Sequence, residues 1–418
     1  MNVLLKSATI IDIKSPFNGK VKDILIENGK ISKIAAKIIA PSSCKEIILD
    51  NLHISCGWFD SSVSFGEPGF EERETIFNGL KTAAKSGFTA VALNSNSNPY
   101  IDNKSTVEFL KGTAKNNVVE LYPIASLTKQ SKGHEIAELY DMQNSGAIAF
   151  GDYNLSVSNA NLMKIALQYA QNFNGLVLSF PQDNSISNNG VANESNMSTK
   201  LGLKGNPSLA EELQIARDIF LLEYTGGKLH IPTISTATSV KLIREAKKRK
   251  LDLTCGVTAH HLTLTDSELS TFDSNYKTTP PLRTQKDLNA LIKGVKDGTI
   301  DMISSDHNPI DIENKKVEFE NALDGTIGLE SLFGVVNKVI DLEQTINCLT
   351  NNPRKRFNLE ELSIKVGEKA NITLFNPDII YEFTKEHIVS TSKNSAFLNK
   401  ELKGRAYGIF ANNKLIIS

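Results

Sequence analysis

The stretch KLHIPTISTATSVKLIREAKKRKLDLTCGV, residues 228–257, holds one full unit of the pattern that organises this chain. Lys228 to Ile231 is a short apolar run of strand type. Thr238 to Lys250 reads as a helix that ends on Lys247-Lys248-Arg249-Lys250, where positive charge suits the helix dipole. Asp252 to Val257 is a second strand. Two strands joined through a helix by short links predict a parallel crossover. The same texture continues on both sides. Thr89 to Leu93 and Leu176 to Leu178 read as strands and Ala160 to Gln171 as a helix. Lys286 to Asp297 reads as a helix and Met302 to Ser304 as a strand. Alternation over about 300 residues predicts an α/β fold whose sheet closes as a (β/α)8 TIM barrel.

The chain ends read differently. Val3 to Ile11 and Asp23 to Ile34 are β-rich, with a hairpin turn at Glu27-Asn28-Gly29-Lys30, and Ile47 to Leu49 is another short apolar run. Strand texture returns after Arg354, at Ala370 to Phe375 and Tyr407 to Ile417, with a turn at Ala411-Asn412-Asn413-Lys414. Residues 1–55 plus 358–418 are therefore expected to form one small β-sandwich beside a barrel of residues 56–357. Asn184 to Ser198 reads as a polar, Asn/Ser-rich loop.

Composition narrows the function classes. The 418 residues are 40% hydrophobic and 22% charged, ordinary for a soluble globular protein, and the net charge of -1 supplies no basic field for nucleic acid or acidic membrane. No apolar run approaches membrane-spanning length, and the N-terminus is not expected to be a signal peptide. The four cysteines Cys44, Cys56, Cys255 and Cys348 have neither metal-finger nor redox spacing, which fits a reducing cytoplasm.

In a barrel, reacting groups sit at the C-terminal ends of the strands. Four such places stand out: Phe59-Asp60-Ser61-Ser62-Val63-Ser64-Phe65-Gly66-Glu67-Pro68-Gly69; His230-Ile231-Pro232-Thr233; Thr258-Ala259-His260-His261; and Ser304-Ser305-Asp306-His307. These segments resemble the dihydroorotases of the amidohydrolase superfamily. Thr278-Thr279-Pro280-Pro281-Leu282-Arg283, Gly325-Thr326-Ile327-Gly328-Leu329-Glu330 and Gly367-Glu368-Lys369-Ala370-Asn371-Ile372 extend the likeness nearly end to end. The resemblance implies a barrel with a β-sandwich, pyrimidine biosynthesis, and zinc that activates water for opening or closing a cyclic amide.

Held against that pattern residue by residue, the chain departs at the metal. The family's first strand carries Asp-x-His-x-His-Leu-Arg-Glu-Pro-Gly. Here Asp60, Glu67, Pro68 and Gly69 match, but both histidine positions are serine, Ser62 and Ser64, and the substrate-gripping arginine is Gly66. Where the family has two adjacent Asp residues, this chain has Asp152 and Tyr153. The third and fourth histidine positions are Phe180 and Thr233. Hydroxyls are poor zinc ligands and phenylalanine is none, so no family-type zinc pair is expected. The resemblance assigns Asp306 as a remnant general base and Asn96, His260 and His261 to the substrate pocket. His230 and Cys255 read as packing residues, and His307 points elsewhere by strand alternation.

The first expectation is a catalytically inactive dihydroorotase-like chain, cytoplasmic and homo-oligomeric, that supports aspartate carbamoyltransferase in an assembly. Two alternatives stay open: an active cyclic-amide hydrolase of dihydroorotase, hydantoinase or allantoinase type with a rebuilt site, and a small-molecule sensor using the old pocket.

Overall fold

A computed structural model describes residues 1–42 and 44–418. Eight parallel strands run in sequence order: β1 Trp58–Val63, β2 Phe88–Leu93, β3 Glu120–Ala125, β4 Ala149–Phe150, β5 Val177–Leu178, β6 Leu229–Ile231, β7 Leu253–Thr258 and β8 Met302–Ser304. The sheet closes on itself just past its first and last members. Val63 bridges His307 in parallel, and Ser64 N–H donates to His307 C=O at 2.6 Å. The expected α/β barrel is the fold observed.

The unit at 228–257 shows why these residues form these elements. Thr236 caps the helix Ala237–Lys248 by accepting from Ser239 N–H, and Val240, Ile243 and Ala246 are buried. The helix stops two residues short of the expected Lys250. Lys250 takes a left-handed φ of 61°, and Leu251 N–H turns back to Ala246 C=O. On β6, Leu229 and Ile231 face the helical layer. His230 between them points inward, edge-on to Phe357 at 5.8 Å with Nδ1 2.8 Å from Thr254 Oγ1. Burial pulls the His230 pKa down to about 3, so it is a neutral interior residue. Six strands contribute Phe59, Ala90, Ala92, Ile124, Ala149, Leu178 and Met302 to the barrel interior, which is packed and not a pore.

A second eight-stranded sheet combines both chain ends. Its central pairing sets His53–Cys56 antiparallel to Ile372–Glu382, with Ile54 opposite Leu374. Val3, Leu5, Ile24, Ile26, Ile54, Ile372, Leu374 and Phe410 form its core. Phe375 lies on the opposite face and meets Trp58 of β1, ring centres 5.5 Å apart, so this sheet is anchored on the barrel.

The polar stretch 184–198 departs from the loop expected of it. It forms two short helices, Asn184–Ser187 and Asn196–Leu201, around a strand at Ala192–Asn193. Its polar residues serve both as local caps and as tertiary contacts. Asp183 and Ser195 cap the helices, and buried Asn193 donates to Asp266 and accepts from Arg283. Among the described residues no helix is long and apolar enough to cross a membrane.

Candidate active site

The strand ends converge as the barrel dictates. Ser62 is the last residue but one of β1, Asn94 follows β2, Tyr153 follows β4, Phe180 follows β5, Thr233 follows β6 and Asp306 follows β8. All six line one cavity, with Thr279 from the loop after β7. The cavity leaves only about 20 Å³ for the centres of water-sized spheres. That is room for about one water molecule.

The floor is a hydrogen-bonded network around Asp306. Ser62 Oγ donates to Asp306 Oδ1 at 3.1 Å, and Tyr153 Oη donates to the same oxygen at 3.2 Å. Asn94 Nδ2 in turn donates to Ser62 Oγ at 3.1 Å. Burial pushes the Asp306 carboxyl up to about 6, against the lowering effect of those two donors. Asp60 lies beneath, fully buried. It accepts from Ser62 N–H and Ser305 N–H, and burial, reinforced by the Asp306 charge, carries it to about 7. Burial, and then the Asp306 charge, holds Tyr153 well above the usual phenol range. The arrangement keeps protons on the phenol and the serine and offers them to one carboxylate.

Each residue singled out from sequence can now be placed. Ser62, Phe180, Thr233 and Asp306 stand together in the cavity. Ser64 and Asn96 lie beside it as a pair, Ser64 Oγ donating to Asn96 Oδ1 at 2.9 Å. His260 and His261 are buried outside the cavity lining, their ring centres 4.6 Å apart. His261 is held by Thr258 Oγ1 at 2.7 Å and Pro280 C=O at 3.1 Å, whereas both His260 nitrogens lack a partner. His307 turns away, as strand alternation implies, and its Nδ1 accepts from Gly328 N–H at 3.2 Å. Asp152 also points elsewhere, accepting from Thr128 N–H at 3.0 Å and Thr128 Oγ1 at 2.6 Å. Tyr153, not Asp152, is the member of that pair in the cavity. Its left-handed φ of 54° follows a turn that no periodicity announces. Asn94 was also hidden, and the only available signal was its place directly after a strand.

Gly66 explains the missing arginine in steric terms. A Cβ there would lie 1.7 Å from Phe70 C=O, because Phe70 N–H closes a tight turn onto Gly66 C=O and Gly66 N–H bonds Glu74 C=O. The turn at Gly66 has room only for a residue with no side chain.

The donor set does not fit the family's zinc pair. Of the cavity-lining side chains only Asp306 belongs to the carboxylate, imidazole or thiolate classes that zinc prefers. No group of three His, Cys, Asp or Glu able to hold a metal lies among the described residues.

Comparison with known proteins agrees on ancestry. A family profile described as Dihydro-orotase-like matches residues 53–239. The dihydroorotase of Pelotomaculum thermopropionicum is 38% identical over all of this chain and 99% of its own length. That of Caldanaerobacter subterraneus subsp. tengcongensis is 39% identical over 97% of this chain and 94% of its own. Among solved structures, the L-hydantoinase (dihydropyrimidinase) of Arthrobacter aurescens superposes with a TM-score of 0.85. It is 18% identical and covers 100% of this chain and 96% of its own, a likeness of fold. Full-length identity at this level, carried on the same barrel and sandwich, places the chain in the dihydroorotase family.

Proposed function

We propose that this chain works in pyrimidine biosynthesis as a non-hydrolytic dihydroorotase relative and that it is a structural partner of aspartate carbamoyltransferase. One observation carries the reading: Ser62, Phe180, Thr233 and Tyr153 occupy the cavity where metal ligands are expected. Hydrolysis needs a water made nucleophilic, and the family obtains it from zinc. Here Asp306 Oδ1 accepts from Ser62 and Tyr153, and the cavity lining offers no second carboxylate, imidazole or thiolate beside it to share in holding a zinc ion. A cyclic amide also needs far more than the space of about one water. The departures from the family's metal positions lie at the mouth, while the barrel fold that would present outer surfaces to a partner is intact. That contrast favours a scaffold over a rebuilt hydrolase or a sensor of the old pocket.

The test measures dihydroorotate turnover in both directions, with and without added zinc, together with zinc content after mild purification. Turnover at background level and well under one zinc per chain are expected. Co-purification with the aspartate carbamoyltransferase of the same cell is the third readout. Turnover abolished by Asp306→Asn would overturn inactivity, and failure to associate with the transferase would overturn the partnership.

A further inference from the structure

Three of the hydroxyls that line the cavity at the barrel mouth have spent their protons on carboxylates. Ser62 Oγ and Tyr153 Oη donate to Asp306 Oδ1 at 3.1 and 3.2 Å, and Thr279 Oγ1 donates to Asp324 Oδ2 at 2.5 Å. Asn94 commits its nitrogen to Ser62 Oγ, which leaves its carbonyl oxygen over. Two further oxygens have no partner among the described residues. No donor reaches Asp306 Oδ2, and Thr233 Oγ1 makes no hydrogen bond although Thr233 is only 5% exposed. In the lining, side-chain nitrogen enters only through Asn94 and Asn154, and there is no lysine, arginine or histidine. The space therefore meets oxygen lone pairs and one carboxylate without a counter-ion. Asp60 beneath is not part of the lining, and its oxygens accept from the backbone N–H groups of Ser62 and Ser305.

This composition selects a class of ion. Zinc prefers imidazole and thiolate, whereas hydroxyl, carboxamide and carboxylate oxygens suit hard cations. A buried charge is stable when it is paired. A water molecule in this space would satisfy lone pairs without supplying the missing charge. Magnesium keeps several of its waters, and there is room for about one. Calcium sites draw on more negative charge than the one carboxylate here. A monovalent cation balances that carboxylate. Potassium stripped of its hydration shell is close to a water molecule in size and matches a void of that size, whereas sodium needs the walls to close in. We propose that the cavity is a site for one dehydrated potassium ion, held by the Asp306 carboxylate with the neutral oxygens of Asn94, Thr233 and their neighbours, in place of the zinc of the family. The ion would tie the ends of β1, β2, β6 and β8 together, so the stability of the chain should follow potassium.

The experiment follows the thermal unfolding midpoint of the full chain between roughly 1 and 300 mM potassium chloride, with choline chloride holding the ionic strength constant. The midpoint should climb by about 1–2 °C for each tenfold rise in potassium above its dissociation constant, and by less in sodium. Thr233→Val, which keeps the shape and charge of the site, should lose most of the climb. Asp306→Asn should lose all of it, and its stability advantage over the wild type should be largest in choline alone, where the carboxylate has no counter-ion. Crystals grown in rubidium chloride should show an anomalous peak beside Asp306. A midpoint indifferent to potassium, a climb that survives in both variants, or a cavity without rubidium would each overturn the site. An equal climb in sodium would overturn the assignment to potassium.

Discussion

Replacing Asp306 by Asn should stabilise the protein at pH 8. Both Asp306 bonds are accepted by Oδ1, so an asparagine oxygen can take the same donors, Ser62 Oγ and Tyr153 Oη. Its left-handed φ of 46° suits asparagine as well as aspartate. What changes is the charge. The carboxyl lies at about 6 in the folded protein against 3.8 ordinarily, so the folded state holds the proton more tightly than the unfolded chain. A raised carboxyl leaves stability intact below about pH 4 and erodes it as pH rises through about 6. Two units correspond to about 3 kcal/mol as an upper limit, reduced by whatever water in the cavity solvates the charge. Asp60 adds in the same direction, because its own rise to about 7 is partly caused by Asp306. Urea unfolding followed through the single buried Trp58 at pH 4, 6 and 8 measures the effect. Asp306→Asn should match the wild type at pH 4 and exceed it by about 1–3 kcal/mol at pH 8. A variant less stable than wild type at pH 8, or a gap independent of pH, would refute the electrostatic account of this site.

Three further outcomes follow from particular contacts. Ser62→His with Ser64→His should restore neither turnover nor stoichiometric zinc by elemental analysis, since Phe180, Thr233 and Tyr153 still fill the remaining positions. Gly66→Arg should lower the unfolding midpoint, by about 2–4 kcal/mol in free-energy terms, because its Cβ collides with Phe70 C=O; a variant as stable as wild type would mean that the turn relaxes freely. Arg283→Met should cost about 3–5 kcal/mol in the same unfolding assay. It leaves the buried Glu211 carboxylate without the guanidinium 3.9 Å away and removes donors to Asn193 Oδ1 and Asn206 C=O.

Local sequence determined the barrel because periodicity is set by short-range geometry. Residues 228–257 announce strand, helix and strand through their own spacing, and eight such units can bury their apolar faces in few ways. The β-rich ends were equally legible as strands. Serine at 62 and 64, phenylalanine at 180 and threonine at 233 were also readable as departures from the ligand set the resemblance implies, since it supplies each position from its neighbours in the chain. Other features required residues far apart in sequence to meet. Ser62, Asn94, Tyr153 and Asp306 join one network only because barrel closure brings β1, β2, β4 and β8 to a common mouth. Whether Asp152 or Tyr153 enters the cavity depends on a single backbone turn, which sends one side chain to Thr128 and the other to Asp306. The caps within 184–198 escaped for a related reason. Asn, Asp and Ser favour loops and helix starts alike, and only the tertiary partners Asp266 and Arg283 decide how Asn193 is used. The small volume beside Asp306 is likewise a property of packing, because it is set by side chains from separate strands meeting, and no single segment encodes it.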